Sequence, residues 1–237
     1  MPVNTHRTAA TWTEAKSVFE DEFGDAAFPF KFAGTLLVHT IAGGVPSDEE
    51  VAMSWLKSKV TDKDDLVRDA VAQTMAERGV SVEEATEIVN KLRHLNGFKR
   101  DANGLYIDGR QLKSAFKEAV SCAVAAGKLP GRGWGKTNKG LTNFVAEHIF
   151  PVEDILYLGV QEPTGITQRF VKTFRGTGIQ YEEFVRDARI DFTMITDWDF
   201  DRKTWMMIWR TGEQEGIGAS RSQGFGRYKV VRWERIK

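Results

Sequence analysis

The chain has 237 residues, of which 41% are hydrophobic and 28% charged, and its 33 Lys and Arg residues balance 33 Asp and Glu residues. This composition suits one or two folded domains and argues against broad disorder, and no apolar run reaches the ~18 residues of a membrane span. A single cysteine, Cys122, excludes an internal disulfide and a cysteine-cluster zinc site. Residues 1–27 are polar and acidic, unlike a signal peptide, so we expect a cytoplasmic protein without membrane contact.

The N-terminal half predicts an arm, a strand and a group of helices. The arm covers residues 1–30 and carries one predicted helix, 13–23, before a strand over 30–41 that ends at a Gly pair. Residues 47–95 predict two or three amphipathic helices, because Ser47 and Ser81 each stand three residues before a glutamate, as a capping box requires.

The C-terminal half alternates between segments with helical periodicity and segments with strand periodicity. Helices are predicted over 109–127 and 200–212, and strands over 103–107, 143–149, 154–160, 167–175, 184–195 and 227–236. This order predicts an α+β fold, an RRM-like or ferredoxin-like antiparallel sheet with helices on one face. We therefore predict a domain over 31–237 that carries a helical insertion at 47–95.

The charges are unevenly distributed between the two halves. Residues 1–96 hold 10 basic and 16 acidic residues, and residues 97–237 hold 23 basic and 17 acidic ones. The asymmetry predicts one basic face, and an acidic part that can meet the basic part of another copy. The alternative is that a net charge of six in either direction on the two halves arises by chance.

The segment 216–228, GIGASRSQGFGRY, is the most informative part of the sequence. Its glycines permit positive φ and allow a polyanion to approach the backbone, while Arg221 and Arg227 supply charge and Phe225 and Tyr228 supply faces for stacking. A structural Gly turn that leads into an edge strand is the alternative.

Three stretches resemble the RAMP superfamily, the repeat-associated proteins of CRISPR systems. GIGASRSQGFGRYKVV resembles its C-terminal glycine-rich signature, and NGFKRDANGLYIDGRQLKSAF, residues 96–116, is similar to the loop, "YIPGSSLKG" and helix of CRISPR backbone subunits. Asp108 replaces the usual Pro there, Arg110 and Gln111 replace two Ser, and Ser114 replaces a Gly. GTLLVHTIAGG resembles the opening strand of the family, and the three matches occur in family order.

The resemblance implies binding of guide RNA near that helix and the glycine-rich loop. The chemistry of the residues agrees, because a helix N-terminus attracts anions and Lys113 and Lys117 share one helix face. The basic loop 128–140 adds a Trp that can stack on a base, although a solvated helix face and a mere crossover loop are the alternatives. The predicted nucleic-acid-binding residues are Gly109, Arg110, Lys113, Lys117, Arg132, Trp134, Lys136, Arg221, Gly224, Phe225, Gly226 and Arg227.

Other sites are disfavoured by spacing. GRGWGKT at 131–137 fails as a P-loop because Pro130 stands where the first glycine is needed. The four histidines show no paired ligand spacing, and DWDFD at 197–201 lacks the glycine of a calcium loop, so that Asp199 is better explained as a helix N-cap. We therefore predict no metal and no cofactor.

Catalysis is also disfavoured. Some CRISPR backbone subunits cut bound RNA with an Asp directly before the Asn of the loop ahead of "YIPG", and the alignment puts Leu95 at that position, with Asp101 as a substitute only if the alignment slips. The prediction is a non-catalytic protein that binds single-stranded RNA, that assembles as a homo-oligomer along the strand, and that has other effector subunits as further partners. The alternatives are a single-stranded DNA-binding protein, a metal-independent guide-RNA endoribonuclease with His39 as general base, and a purely structural subunit.

Overall fold

The computed structural model describes residues 29–46, 63–93, 95–134, 140–173 and 176–236. The strands in this part of the chain are β1 (Phe30–Ala42), β2 (Val45–Pro46), β3 (Leu95–Gly97), β4 (Lys99–Asp101), β5 (Gly104–Asp108), β6 (Ile149–Pro151), β7 (Ile155–Tyr157), β8 (Gly165–Thr173), β9 (Gly176–Thr196) and β10 (Tyr228–Ile236). The helices are α1 (Lys63–Arg78), α2 (Val82–Arg93), α3 (Gly109–Ala125), α4 (Leu141–His148) and α5 (Arg202–Glu215).

The main sheet is mostly antiparallel. Its strand order is β10-β1-β9-β3-β2, and both β6 and β8 also pair with β9, whereas β4, β5 and β7 form a small second sheet. The β3–β9 pair is parallel, and the other pairs of the main sheet are antiparallel. The succession β1, α3, β8, β9, α5, β10 with β1 and β9 at the centre is the ferredoxin-like plan, which confirms the α+β class.

The core lies between the sheet and two helices, α3 and α5. Leu112, Phe116 and Ala119 recur at helical spacing along α3, and all three are buried. On α5, Trp205 and Trp209 are buried as well, and their rings pack against Trp233 of β10 with centroid distances of 4.8 and 5.0 Å. These contacts fix both helices on one side of the sheet, and Leu37, His39 and Arg189 are exposed on its other side, which we call the open side or open face.

Helices α1 and α2 have a small core of their own. Val71, Ala85 and Val89 are buried together, apart from the main core. The cap predicted at Ser81 is present, since its hydroxyl accepts a hydrogen bond from the Glu84 N–H at 3.2 Å, and Ser47 lies outside the described residues. The predicted division into an arm, a domain and an insertion stays a prediction.

Two local predictions are wrong. The predicted strand over 143–149 is helix α4, because Leu141, Phe144 and Val145 follow helical spacing and all turn to the core. Helix α5 is capped by Asp201, whose carboxylate accepts the Thr204 N–H at 2.8 Å, and not by Asp199. Within the described ranges, no helix is long and apolar enough to cross a membrane.

Candidate nucleic-acid interface

The glycine-rich loop, residues 216–227, is folded back on the end of β1. Gly226 N–H donates to Thr40 O at 2.7 Å, and Ile217 N–H donates to Gly226 O at 2.9 Å. A longer bond of 3.4 Å joins Ala219 N–H to Ala42 O. The backbone of the loop is therefore held by the backbone of the central strand, and its exposed residues have a fixed place beside the sheet.

The glycines of this loop differ in what surrounds them. Gly226 has a φ of +78°, and a Cβ there would stand 2.0 Å from Ile217 O, so that only glycine fits. Gly224 has a φ of +90° but faces open space, because no atom lies within 4 Å of the place that a Cβ would take. Gly226 is thus explained by packing, whereas Gly224 is open to a ligand.

Beside the loop, basic side chains line up across the open face of the sheet. Leu37 of β1 pairs with Lys229 of β10 on one side and with Arg189 of β9 on the other. Further along β1, the N–H of His39 donates to Arg227 O at 3.0 Å. Because neighbouring strands lie only about 4.8 Å apart, these side chains form one continuous surface.

A backbone irregularity in β9 brings a further arginine onto this face. Asp187 has a φ of +52°, and the buried positions change parity there, from Ala188 to Val185. As a result both Asp187 and Arg186 are exposed. We call the exposed set of Arg186, Arg189, Arg227, Lys229 and His39 the basic corner.

Two carboxylates lower the net positive charge of the basic corner. Asp191 forms an ion pair with Arg189 at 3.0 Å, and Asp187 lies 4.0 Å from the His39 ring. The pKa of Asp191 lies below its usual range: burial raises it, but the hydrogen bonds from Arg189 and Thr35 outweigh that effect. The four Arg and Lys residues of the corner still outnumber these two acids.

On its other side, the loop borders a polar groove of about 1140 Å³. Arg221 is paired with Glu118 at 2.5 Å, and Arg169 is paired with the buried Glu182, which also accepts the Ser220 hydroxyl at 2.7 Å. The four acidic lining residues, Glu118, Glu182, Glu213 and Glu215, outnumber the three arginines, the third of which is Arg227, a residue that this groove shares with the basic corner. Such a groove offers little net attraction to a phosphate, which favours the basic corner as the site for a polyanion.

The N-terminus of α3 packs closely against the backbone of another segment of the protein. Gly109 N–H donates to Asp154 O at 2.7 Å, and a Cβ at Gly109 would stand 2.0 Å from Glu153 O. Arg110 is exposed, but its guanidinium forms an ion pair with Asp108 at 2.7 Å. Close backbone packing thus explains Gly109, and a role for either residue in binding stays a prediction.

Lys113 caps another helix. Its ammonium donates to Ala146 O at 2.9 Å and to Ile149 O, and it lies 3.6 Å from the centroid of the Phe150 ring. Burial lowers the pKa of Lys113 to about 8, and the charge of Lys117 acts in the same direction. The end of α4 supplies the unpaired carbonyls, so that the contacts of Lys113 are internal, whereas Lys117 is half-buried on the same helix.

Trp134 belongs to the edge of the core. Its indole N–H donates to Pro130 O at 3.0 Å, and its ring lies 5.4 Å from Phe200 and 6.3 Å from Phe144. These contacts hold the side chain at the edge of the core, where it is half-buried, and its predicted stacking on a base stays a prediction. Tyr228 is not available for stacking, because it is 5% exposed, and burial, with the nearby Glu213 charge, raises its pKa.

The remaining predicted residues are scattered. Arg132 is exposed on the turn after α3, Phe225 is half-buried next to Gly224, and Lys136 lies outside the described residues. The structure thus brings the loop residues together with Arg227, but it keeps Arg132 and the α3 residues in other surroundings. Within the described part of the chain, no group of three or more His, Cys, Asp or Glu side chains is placed to hold a metal ion.

The comparisons with known proteins found similarity in structure and none in sequence. No protein-family model matches the sequence, and no curated protein matches it. Among solved structures, the chain is similar to a chain of the Type III-B Cmr-beta bound to cognate target RNA, with a TM-score of 0.45 and 10% sequence identity. The match covers 88% of this chain and 61% of that chain, which is less than two thirds of its length.

Three members of the basic corner were not predicted from the sequence. Arg186, Arg189 and Lys229 lie in strands, where single basic residues are common and carry little signal. The signal that was available is the alternation of Arg227 and Lys229 in the strand predicted over 227–236, which places both on one face of that strand. Which strands stand next to β10 is a matter of topology that local patterns do not show.

Proposed function

We propose that this protein binds single-stranded nucleic acid, with RNA as the first choice, through the basic corner and the adjoining Gly224 turn. The observation that carries the proposal is the convergence of Arg186, Arg189, Arg227 and Lys229, from two strands and a loop, on one exposed face. Clustered basic side chains bind the phosphate backbone by releasing condensed counterions.

The proposed contact is with the backbone more than with the bases. Phe225 and Gly224 offer a site beside the basic corner where one base can approach, and Phe170 of β8 is 71% exposed. The exposed face of the central strand β1 carries Leu37 and His39 in place of Phe, Tyr or Trp. Binding should therefore tolerate many sequences and depend strongly on salt.

The experiment measures the affinity for a labelled RNA oligonucleotide at several salt concentrations. Arg227→Ala, Lys229→Ala and Arg189→Ala should each weaken binding across sequences and lower the salt slope by about one unit. Lys203→Ala, an exposed lysine on α5, is the matched control and should leave the slope unchanged. Unchanged slopes for all three corner variants would refute the proposed interface, and competition with DNA of the same sequence identifies the preferred ligand.

We propose binding without cleavage, but one observation favours a second candidate function, metal-independent cleavage of RNA. His39 and Asp187 are 83% and 80% exposed and lie 4.0 Å apart within the basic corner. A histidine there can take the proton from a ribose 2′-OH, whose oxygen attacks the phosphorus while the bond to the 5′-oxygen breaks and that oxygen takes a proton from water. The products are a 2′,3′-cyclic phosphate and a 5′-hydroxyl.

The two candidates are separated by one assay. Labelled RNA is incubated with the protein in EDTA, and His39→Ala is the variant tested. Binding without cleavage predicts intact RNA in both samples and an affinity that His39→Ala changes little. Cleavage of RNA but not of DNA, lost in His39→Ala, would establish the endoribonuclease instead.

A further inference from the structure

A second groove, of about 690 Å³, lies between α5 and β10 on the helix side of the sheet. Its floor is aromatic and includes Trp205, Trp209 and Trp233. Met206 stands at its edge and is 49% exposed, so that it adds to the apolar surface of the groove. A volume of this size and this lining are typical of a binding site.

Two of the tryptophans that line this groove have indole donors without a partner among the described residues. The indole Nε1 atoms of Trp205 and Trp209 are buried, and neither has a hydrogen-bond partner among the described residues. The two side chains are 4% and 5% exposed. A buried donor without a partner costs about 1–3 kcal/mol, a cost that an acceptor reaching either of these atoms would remove.

The rim of the groove is basic. Arg202 and Arg210 project from α5 as exposed side chains, and Arg235 lies 3.6 Å from Asp199. The other acid of the rim, Glu213, already accepts the Val230 N–H at 3.0 Å. The rim therefore favours an acidic occupant.

Strand β1 starts at the edge of the same groove. Strand β1 begins at Phe30, whose ring lies 4.5 Å from the guanidinium of Arg235, and Phe32 lines the groove. Only residues 24–28 stand between Phe23 and the first described residue, a stretch that reaches at most about 20 Å. A segment that ends at Phe23 is thus joined to the groove edge by a short stretch of chain, and such a tether corresponds to an effective concentration in the mM range.

We propose that residues 12–23 of this chain occupy the α5–β10 groove. Trp12, Phe19 and Phe23 repeat at the spacing of one helix face and match the aromatic floor. The acids of the segment, Glu14, Glu20, Asp21 and Glu22, outnumber its one base, Lys16, and match the basic rim. The proposal is independent of nucleic-acid binding, because the groove lies on the helix side and the basic corner on the open side.

The test is limited trypsin digestion of the full chain, followed by mass spectrometry of cleavage after Lys16. Met206→Glu and the pair Arg202→Glu/Arg210→Glu should speed this cleavage about tenfold, the change that about 1.4 kcal/mol of docking free energy produces. Leu37→Glu, at a 43% exposed position of the open face, is the matched control and should not change the rate. Circular dichroism melting verifies that each variant is folded.

A second variant checks that the segment and the groove act together. Phe19→Ser/Phe23→Ser should raise the exposure of Lys16 as much as Met206→Glu does, and the combination should add nothing further. Equal cleavage rates in the wild type and in all variants would overturn the proposal. Protection that rises with protein concentration would also overturn it, since it would mean that the segment docks into another copy.

Discussion

Glycines at 224 and 226 are two residues apart in sequence and have different roles. Gly226→Val places a Cβ 2.0 Å from Ile217 O and at a positive φ, so that we expect a loss of more than about 2 kcal/mol in the free energy of unfolding. Gly224→Val meets no neighbouring atom, and only the backbone strain of about 1–2 kcal/mol remains. Urea denaturation measures both changes.

The same pair makes the loop hypothesis testable. Gly224→Val should fold and should weaken RNA binding, because a branched side chain occupies the space beside Phe225 and Arg227. Gly226→Val confounds binding with folding and serves as the stability comparison. A Gly224→Val protein that binds RNA like the wild type would exclude this turn from the interface.

Lys113 is the residue with a distinct pH signature. Its pKa is about 8 in the folded protein, against about 10.4 in an unfolded chain, so that the unfolded chain binds the proton more tightly between these values. Raising the pH through this window therefore stabilises the folded state. We expect the free energy of unfolding of the wild type to rise relative to Lys113→Met from pH 8 to 10.5. Parallel curves for the two proteins would contradict this assignment.

At the scale of elements, the N-cap of α5 is set by one carboxylate. Asp201→Ala should cost about 1 kcal/mol, because the Thr204 N–H loses its acceptor. Asp199→Ala is the control and should cost less, because its pair with Arg235 is exposed on both sides. The Thr204 hydrogen bonds lower the pKa of Asp201, so that its contribution is present at neutral pH and is lost as the pH falls through that lowered pKa.

Helix α4 shows where an element depends on its surroundings. Residues 143–149 contain enough Phe, Val and Ile to resemble a strand, but Lys113 of α3 binds the carbonyls at the end of this segment and Phe144 packs against Trp134. The helix is thus supported by α3 and by the core more than by its own propensity.

At the scale of the whole molecule, the basic corner and the acidic helices are candidates to meet between copies. Exposed acids on α1 and α2 include Asp69, Glu77, Glu83, Glu84 and Glu87. We expect self-association on long single strands that weakens as salt rises, and little association without a strand, because the Debye length is only about 10 Å at 0.1 M salt. Light scattering with long and short oligonucleotides measures this, and one protein per long strand would refute it.

The sequence by itself determined most of the elements and the α+β class. Strand β1, helix α3 and the capped helix α2 were predicted because periodicity and capping are local properties, and the glycine-rich loop was found because Gly224 and Gly226 need φ values that other residues avoid. Only the tertiary structure decided which basic residues share a surface. The pairing of β10, β1 and β9 places Lys229 beside Arg189, and the same folding pairs Arg221 with Glu118 and turns Lys113 inward, because contacts between distant segments depend on topology and not on local pattern.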